Sequence, residues 1–282
     1  MASSLNIVVG YCGLLTLAHA AYFAIGCYSY AITTLYGWGF VPSLAVGVGV
    51  AMLLSLFISL PAWRFRGDFF VIVSLAVQAL LFSLFYNWNS PGADPGTLKN
   101  LTNGPFGIAG ISKPDILGIR FDTIGDICVL SIILAGTCLL VSWLLLSSPW
   151  GRLLKAVRDD ELVARGLGKN TRLVKIHAFA VACGMAAVSG VIYASYVGYI
   201  DPSSASLDES ILMLCMVMVG GVGNIRGPIV GALVLLLIPE ALRFLDIPDT
   251  VAANIRLLAY GLLLIFMMHF RPQGLAGVYR VE

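Results

Sequence analysis

"GRLLKAVRDDELVARGLGKNTRLVKIH", residues Gly151 to His177, gathers ten charged side chains, while the long runs on either side carry almost none. The contrast decides the fold class because the rest of the chain is so apolar. Of 282 residues 59% are hydrophobic and only 11% charged, and the mean hydropathy is +0.92. A soluble domain is about 25% charged. A chain of this composition is an integral membrane protein, and the quoted stretch is one of the few places where it meets water. The net charge of +2 is too small to indicate nucleic-acid binding, so the 17 Lys and Arg matter through their placement.

A helix needs about 20 mostly apolar residues to cross the hydrocarbon core. Candidate spans run over Leu5 to Tyr36, Phe40 to Trp63, Phe69 to Trp88, Ile124 to Leu146, Ala178 to Ile200, Ile211 to Gly223, Pro228 to Phe244 and Val251 to Phe270. The expected fold is an all-α polytopic transmembrane bundle of about eight spans, some broken or re-entrant. The first stretch is too long for one crossing and the sixth too short. Within the first, "GYCGLLTLAHA" places Gly10, Gly13 and His19 where the helix should break. Irregular backbone at that depth is tolerated only when buried in protein or lining a wet cavity. No cleavable signal peptide is expected, because Met1 to Asn6 lacks a basic stretch.

Orientation follows from Lys and Arg. Seven lie between Ser147 and His177 and two in "RFRGD" at Arg64 to Asp68, so both segments are expected in the cytoplasm. Residues 89–123 then fall outside, as does Tyr199 to Glu209 with three acids and no base. Asn224 to Gly227 returns inside, "LDIPD" lies outside, and the tail "RPQGLAGVYRVE" is expected to be cytoplasmic. The external segment 89–123, dense in Gly, Pro and Asn, reads as a surface loop with turns that docks another protein.

Ala182, Ala186, Gly190, Ala194 and Gly198 recur every fourth residue, a stripe along which another backbone can approach closely, and Gly223, Gly227 and Gly231 repeat the spacing. Helix packing and the lining of a transport path both fit such stripes. Taken as one helix, Gly151 to Gly168 places Leu153, Ala156, Val157, Val163, Ala164 and Leu167 on one arc, with Asp160 inside it and Arg152, Lys155, Arg158, Asp159, Glu161 and Arg165 around the remainder. Gly166 and Gly168 offer its stop. A juxtamembrane helix that only holds the positive side inside would account for the Lys and Arg. The acidic triplet Asp159, Asp160, Glu161 and the apolar stripe favour a helix that fits a groove on another protein.

Six phrases, in order, resemble the LivM-type permease subunits of ABC importers for branched-chain amino acids over nearly the whole chain: "LNIVVGYCGLLTLAHAAYFAIGCYSYA" from Leu5, "RFRGDFFVIVSLA" from Arg64, "LTNGPFGI" from Leu101, "SPWGRLLKAVRDDELVARGLG" from Ser148, "MVMVGGVGNIRGPIVGA" from Met216 and "YGLLLIFMMHFRPQGL" from Tyr260. The resemblance implies a single permease domain over residues 1–282, with a cytoplasmic coupling loop at 148–177 and the external loop at 89–123. It implies that Arg158, Asp159, Asp160, Glu161, Ala164 and Gly166 belong to the loop that inserts into a cleft of an ATPase subunit. The implied partners are two ATP-binding cassette ATPases, a second, paralogous permease and an extracytoplasmic solute-binding protein, in a bacterial inner membrane. Family members usually carry another hydrophobic helix upstream of "LNIVVGY", so either the start lies elsewhere than Met1 or a span has been lost. They also commonly have Gly where Ala18 stands, so the break is expected to be milder here.

The chain's own chemistry is sparse. "GLGKNT" is the nearest approach to a phosphate cradle, but Asn170 follows the Lys, so ATP hydrolysis belongs to another chain and this one is not expected to be an enzyme. Neither H-E-x-x-H nor G-x-S-x-G occurs, the six cysteines form no C-x-x-C pair, and no metal site or cofactor is expected. His19 is the most informative intramembrane polar residue. It fits a helix-packing hydrogen bond, and with Gln78, Asn6 and Thr16 it also fits a polar translocation path. Glu240, three residues before Arg243, fits a local ion pair. The expected function is a permease subunit for branched-chain or related amino acids. The alternatives are a urea or short-amide permease of the same family, a self-sufficient secondary transporter, for which the spans offer few ionisable residues, or a membrane scaffold.

Overall fold

A computed structural model of the protein describes residues 1–60, 67–90, 92–116, 118–243, 249–271 and 273–276. In chain order the helices are α1 (Ala2–Asn6), continued by a π-helical turn (Ile7–Tyr11), α2 (His19–Leu35), α3 (Phe40–Ser59), α4 (Asp68–Asn87), α5 (Ile124–Ser147), α6 (Pro149–Asp159), α7 (Glu161–Gly166), α8 (Thr171–Val197), α9 (Leu207–Gly220), α10 (Gly227–Arg243) and α11 (Asp249–Phe270). Four two-residue strands, β1 (Ile108–Ala109), β2 (Asp115–Ile116), β3 (Ile119–Arg120) and β4 (Tyr199–Ile200), form two short antiparallel pairs. The fold is the expected all-α polytopic bundle. Among the described residues α3, α4, α5 and α8 are each long and apolar enough to cross a membrane, and α10 and α11 hold shorter apolar stretches. Arg64 to Arg66 of "RFRGD", most of "LDIPD", most of the C-terminal tail and the Arg243 side chain proposed to pair with Glu240 lie outside the described residues.

The first predicted span is broken, and not mildly. Helical structure ends at Cys12, Gly13 takes φ +72°, and the chain is non-helical through Ala18 before α2 begins at His19. Ala18 in place of Gly does not heal the helix, because the break is set at Gly13, in the left-handed region that a side chain disfavours.

The bundle is centred on α2, α3 and α8. The stripe of small residues on α8 is where α2 crosses it. Ala182, Ala186 and Ala194 are fully buried, and a Cβ on Gly190 would sit 2.1 Å from the Phe23 carbonyl oxygen. Gly26 of α2 is equally close to Ala187 of α8. Backbone-to-backbone contact of this kind is how helices associate where lipid offers no hydrophobic drive. A second close approach joins α9 to α10, where Gly220, Gly227 and Gly231 leave no room for a Cβ. Gly223 lies in the intervening turn, at φ +78°, rather than on that face. α5 sits at the periphery and exposes Val129, Ile132, Ile133, Leu140, Trp143 and Leu144, as a helix facing lipid does.

The ends of the bundle are distinct. At one end, β1 pairs with β4 through Ile108↔Ile200 and Ala109↔Tyr199, and the Tyr30 hydroxyl donates to the Ser112 carbonyl at 2.9 Å. The segment 88–123 is ordered there by its own hydrogen bonds: Trp88 Nε1 donates to the Leu98 carbonyl at 3.0 Å, and Asn103, in the left-handed region at φ +59°, donates from Nδ2 to the Gly107 carbonyl at 2.8 Å. The other end carries α6, α7 and the α9–α10 turn. This division has the parity that the charge distribution requires.

The α2–α8 crossing generates a stability prediction. Gly190→Ala should destabilise the protein by about 1–3 kcal/mol, because the added methyl overpacks the crossing. Gly49→Ala, where a Cβ meets nothing within 4 Å, should cost nothing. Thermal unfolding of the two variants in detergent measures the difference.

Candidate functional site

An interrupted helix inside a membrane exposes backbone N–H and C=O groups that hydrocarbon cannot satisfy. α2 begins at such a point, and Ala18 provides no cap. Side chains from other parts of the chain do so instead. The Leu17 N–H donates to Ser74 Oγ at 3.0 Å, the Ala18 N–H to Thr16 Oγ1 at 3.3 Å, the Ala20 N–H to Ser210 Oγ at 3.1 Å and the Ala21 N–H to Gln78 Oε1 at 3.1 Å. Gln78 also donates from Nε2 to the carbonyls of Ala205 and Ser206, joining α4 to the turn before α9. His19 Nε2 lies 2.8 Å from Ser4 Oγ. Since the Ser4 hydroxyl donates to the Met1 carbonyl, Ser4 accepts from His19, which fixes the ring proton on Nε2.

Asn6 makes the corresponding bridge at the opposite end of α1. It accepts from the Gly223 N–H at 3.1 Å and donates to the Asn224 carbonyl at 2.9 Å. Asn224 in turn donates to the Ala276 carbonyl at 2.7 Å, while the N–H groups of Leu275 and Ala276 donate to the carbonyls of Val219 and Gly220 at the end of α9. All four residues singled out as a polar path, His19, Gln78, Asn6 and Thr16, are therefore buried, at 2% exposure, and hydrogen-bonded around the two ends of the broken segment. Ser4, Ser74 and Ser210 belong to the same network and were missed by sequence reasoning. A serine in an apolar run is ordinary, but Ser74 and Gln78, one turn apart on the same face of α4, were a readable signal.

The charged stretch is not one helix. It is two, α6 and α7, because Asp160 is extended (φ −153°, ψ 103°) and its Oδ1 accepts from the N–H groups of Leu162 at 2.8 Å and Val163 at 3.0 Å. An aspartate at that position caps a new helix better than it continues the old one. Ser148 with Pro149 starts α6 and Asn170 caps α8 in the same way, so three capped helices follow one another. Gly168 at φ +75° ends the α7 turn. The kink divides the single apolar arc expected from the sequence. Of its residues Val157 and Ala164 are buried against the body of the protein, Leu153 is half-buried, and Ala156, Val163 and Leu167 are exposed, the last two at 57% and 74%; off the arc, Leu154 is buried and Leu162 is 66% exposed.

The charges divide too. Asp159 and Gly166 are exposed. Arg158 and Glu161 turn inward, with side chains only 11% exposed. Glu161 Oε1 accepts from Arg165 Nη2 at 2.7 Å and from the Thr171 hydroxyl at 3.0 Å, and Oε2 accepts from Lys175 Nζ at 3.0 Å. This carboxylate clamps α7 onto the first turn of α8. Burial pushes its pKa up, but the hydrogen bond and charge of Lys175, with Thr171 and Arg165, outweigh burial and hold it below the ordinary glutamate value.

A group with a depressed folded-state pKa stabilises the fold fully above its unfolded pKa, about 4.3 for glutamate, and loses that contribution as pH falls through the folded value. Acid should therefore loosen α7 from α8 only below about pH 4. Glu161→Gln should abolish this acid limb and weaken the loop at neutral pH by up to about 3 kcal/mol, because Lys175, 4% exposed, loses its carboxylate. Amide exchange across residues 161–175 as a function of pH measures both effects.

Comparison with known proteins places this arrangement in a family. A family described as the permease component of branched-chain amino acid transport systems matches residues 1–268. The chain is 30% identical over 302 aligned residues to the high-affinity branched-chain amino acid transport system permease protein LivM of Escherichia coli, covering 99% of this chain and 67% of that one. It is 26% identical over 252 residues to the probable branched-chain amino acid transport permease protein LivM of Methanocaldococcus jannaschii, covering 82% of this chain and 69% of that one. To the autoinducer 2 import system permease protein LsrC of Salmonella typhi it is 31% identical over 210 residues, covering 71% and 56%. No solved structure gives a significant match. The chain, a multi-pass membrane protein built around a broken first span, belongs to the family of branched-chain amino acid transport permease components.

Proposed function

We propose that the protein is the membrane-spanning subunit of an ATP-driven importer for branched-chain or related amino acids, and that α6 and α7 couple it to separate ATPase subunits. The observation that carries the coupling is the outward apolar face of α7. Leu162, Val163 and Leu167 are exposed side by side on a loop that three helix caps and the Glu161 clamp make rigid. Flanked by Asp159 and Gly166, they form a small preorganised ridge suited to an apolar groove with a polar rim. The residues divide the work. Glu161 and Ala164 seat the ridge on the bundle, Asp160 shapes it, Arg158 faces the membrane segment beneath it, and the exposed side chains meet the ATPase. The remaining partners, a second permease and an external solute-binding protein, rest on family membership, as do the inner membrane and a cytoplasmic C-terminus.

The opposite end suits the binding protein. Leu98 and Phe106 stand out from the internally bonded loop, at 87% and 77% exposure. Rigid loops with isolated large apolar side chains are how a surface presents anchors to a partner. For the solute, two readings have support. The LivM relatives favour branched-chain amino acids, and the LsrC relatives favour autoinducer 2. Uptake of labelled leucine by the reconstituted transporter, challenged in turn with isoleucine, valine, urea and autoinducer 2, separates them and the amide alternative.

Two outcomes are expected at the ends of the molecule. Replacing Leu162 and Val163 together by Asp should weaken ATPase association by about 10- to 100-fold, since a buried anchor is worth about 1–3 kcal/mol, while insertion and stability in the membrane stay normal. Replacing Leu98 and Phe106 by Ser should leave the ATPases bound and raise the concentration of loaded binding protein needed for half-maximal uptake. Co-purification reads the first and transport titration the second. ATPase co-purification at the native level with the double Asp variant would remove α7 from the interface.

A further inference from the structure

Arg158 ends α6 pointing away from the exposed ridge. Its Nη1 donates to the Gly10 carbonyl at 2.7 Å, and its Nε and Nη2 hold Asp159 Oδ1 at 3.0 Å each. The acceptor is an unusual one. In a regular α-helix the Gly10 carbonyl would receive the Leu14 N–H. Here the Leu14 N–H reaches back to the Val8 carbonyl at 3.2 Å, across the π-helical turn, and Gly13 has left the helix at φ +72°. The guanidinium takes the acceptor that the helix has released. The fit is close on both sides: a Cβ on Gly13 would lie 2.6 Å from Arg158 Cγ, and a Cβ on Gly10 would lie 2.6 Å from the Gly223 nitrogen. Lys155, one turn earlier on α6, lies with Nζ 5.4 Å from the Tyr11 ring centroid.

We propose that Arg158 is the positioning residue that carries movement of the α6–α7 loop into the membrane, by tying the end of α6 to the C-terminal carbonyl end of the α1 segment. The proposal rests on the reading of that loop as the ATPase coupling site. A cation at a helix C-terminus is favoured by the helix dipole, and a charge-assisted hydrogen bond shielded from water is stronger than a neutral one. The tie grips backbone, so a shift of α6 moves the whole α1 segment rather than one side chain. That segment is held at its other contacts by Asn6 to the α9–α10 turn and by Ser4 to His19, the first residue of α2. Arg158 thus stands between the loop that would receive the ATPase stroke and the two helix ends that meet inside the bundle. The last carbonyls of a helix lack intrahelical partners, and short π-helical turns recur at functional sites.

The test compares Arg158→Met, which keeps the stem and loses the donors, with Arg158→Lys, which keeps a charged donor. Both are measured in the complete transporter in proteoliposomes. Expected for Arg158→Met are normal ATPase co-purification and basal ATP hydrolysis, with solute-stimulated hydrolysis and uptake reduced at least about fivefold, the scale of an ordinary coupling free energy. Arg158→Lys should recover a substantial part of both, at an unchanged apparent affinity for the loaded binding protein. Native stimulated hydrolysis and uptake in Arg158→Met would overturn the proposal, as would equal impairment of the Met and Lys variants. Loss of ATPase association in Arg158→Met would overturn it too, because Arg158 would then belong to the docking surface. Failure of the docking reading is seen separately, as normal ATPase association when Leu162 and Val163 are replaced by Asp.

Discussion

Most of this architecture answers to one constraint, which is that a backbone interrupted between Gly13 and Ala18 must find hydrogen-bond partners where no lipid can supply them. The chain meets it with side chains drawn from distant elements, Ser74 and Gln78 from α4 and Ser210 from α9, and with Thr16 from within the break, while Ser4 adds a side-chain bond to His19. Each bond fixes the position of the helix that provides it. A packing energy spread over Leu and Val side chains would allow these helices to slide, whereas a buried N–H left unpaired costs several kcal/mol and does not. The buried polar residues are in this sense what makes one arrangement of an apolar bundle unique.

The same accounting explains the end of the molecule that carries the charged loop. The carbonyls that close α9 are met by the backbone of Leu275 and Ala276, and the turn between α9 and α10 is met by Asn6 and Asn224. The glycines of "GGVGNIRG" allow it, since Gly220 and Gly227 bring two backbones into contact and Gly221 and Gly223 turn the chain at positive φ. Segments from the beginning, the middle and the end of the sequence therefore meet within a few residues of Gly10.

Composition and hydropathy made the membrane bundle legible, and the spacing of Ala182, Ala186, Gly190 and Ala194 marked the helix face that another backbone meets. The break was legible in Gly10, Gly13 and His19. What could not be read was which partner each polar residue would find, because those bonds join residues far apart in sequence, such as Ala20 with Ser210. The charged loop shows a subtler limit. Its 100° periodicity suggests one amphipathic helix in which Asp160 falls inside the apolar arc. Asp160 is instead a capping residue, and capping competes with helix continuation through a local hydrogen bond that periodicity does not count. The break at Asp160 gives α7 a face of its own, on which Ala164 packs against the bundle while Val163, the residue before it, is exposed.

The loop that results packs Leu154, Val157 and Ala164 against the bundle as a surface helix does, and adds directional polar contacts to them. Its inward side holds the ion pair of Glu161 with Lys175 and the Arg158 bond to Gly10, and its outward side shows Leu162, Val163 and Leu167. Polar contacts are directional, so they hold the loop in one orientation on the bundle. Apolar contacts are area-dependent and indifferent to small rotations. A loop attached by the first kind and exposing the second is rigid toward its own chain and adaptable toward whatever covers it. Those are the properties required of an element that must receive force through one face and deliver it through the other.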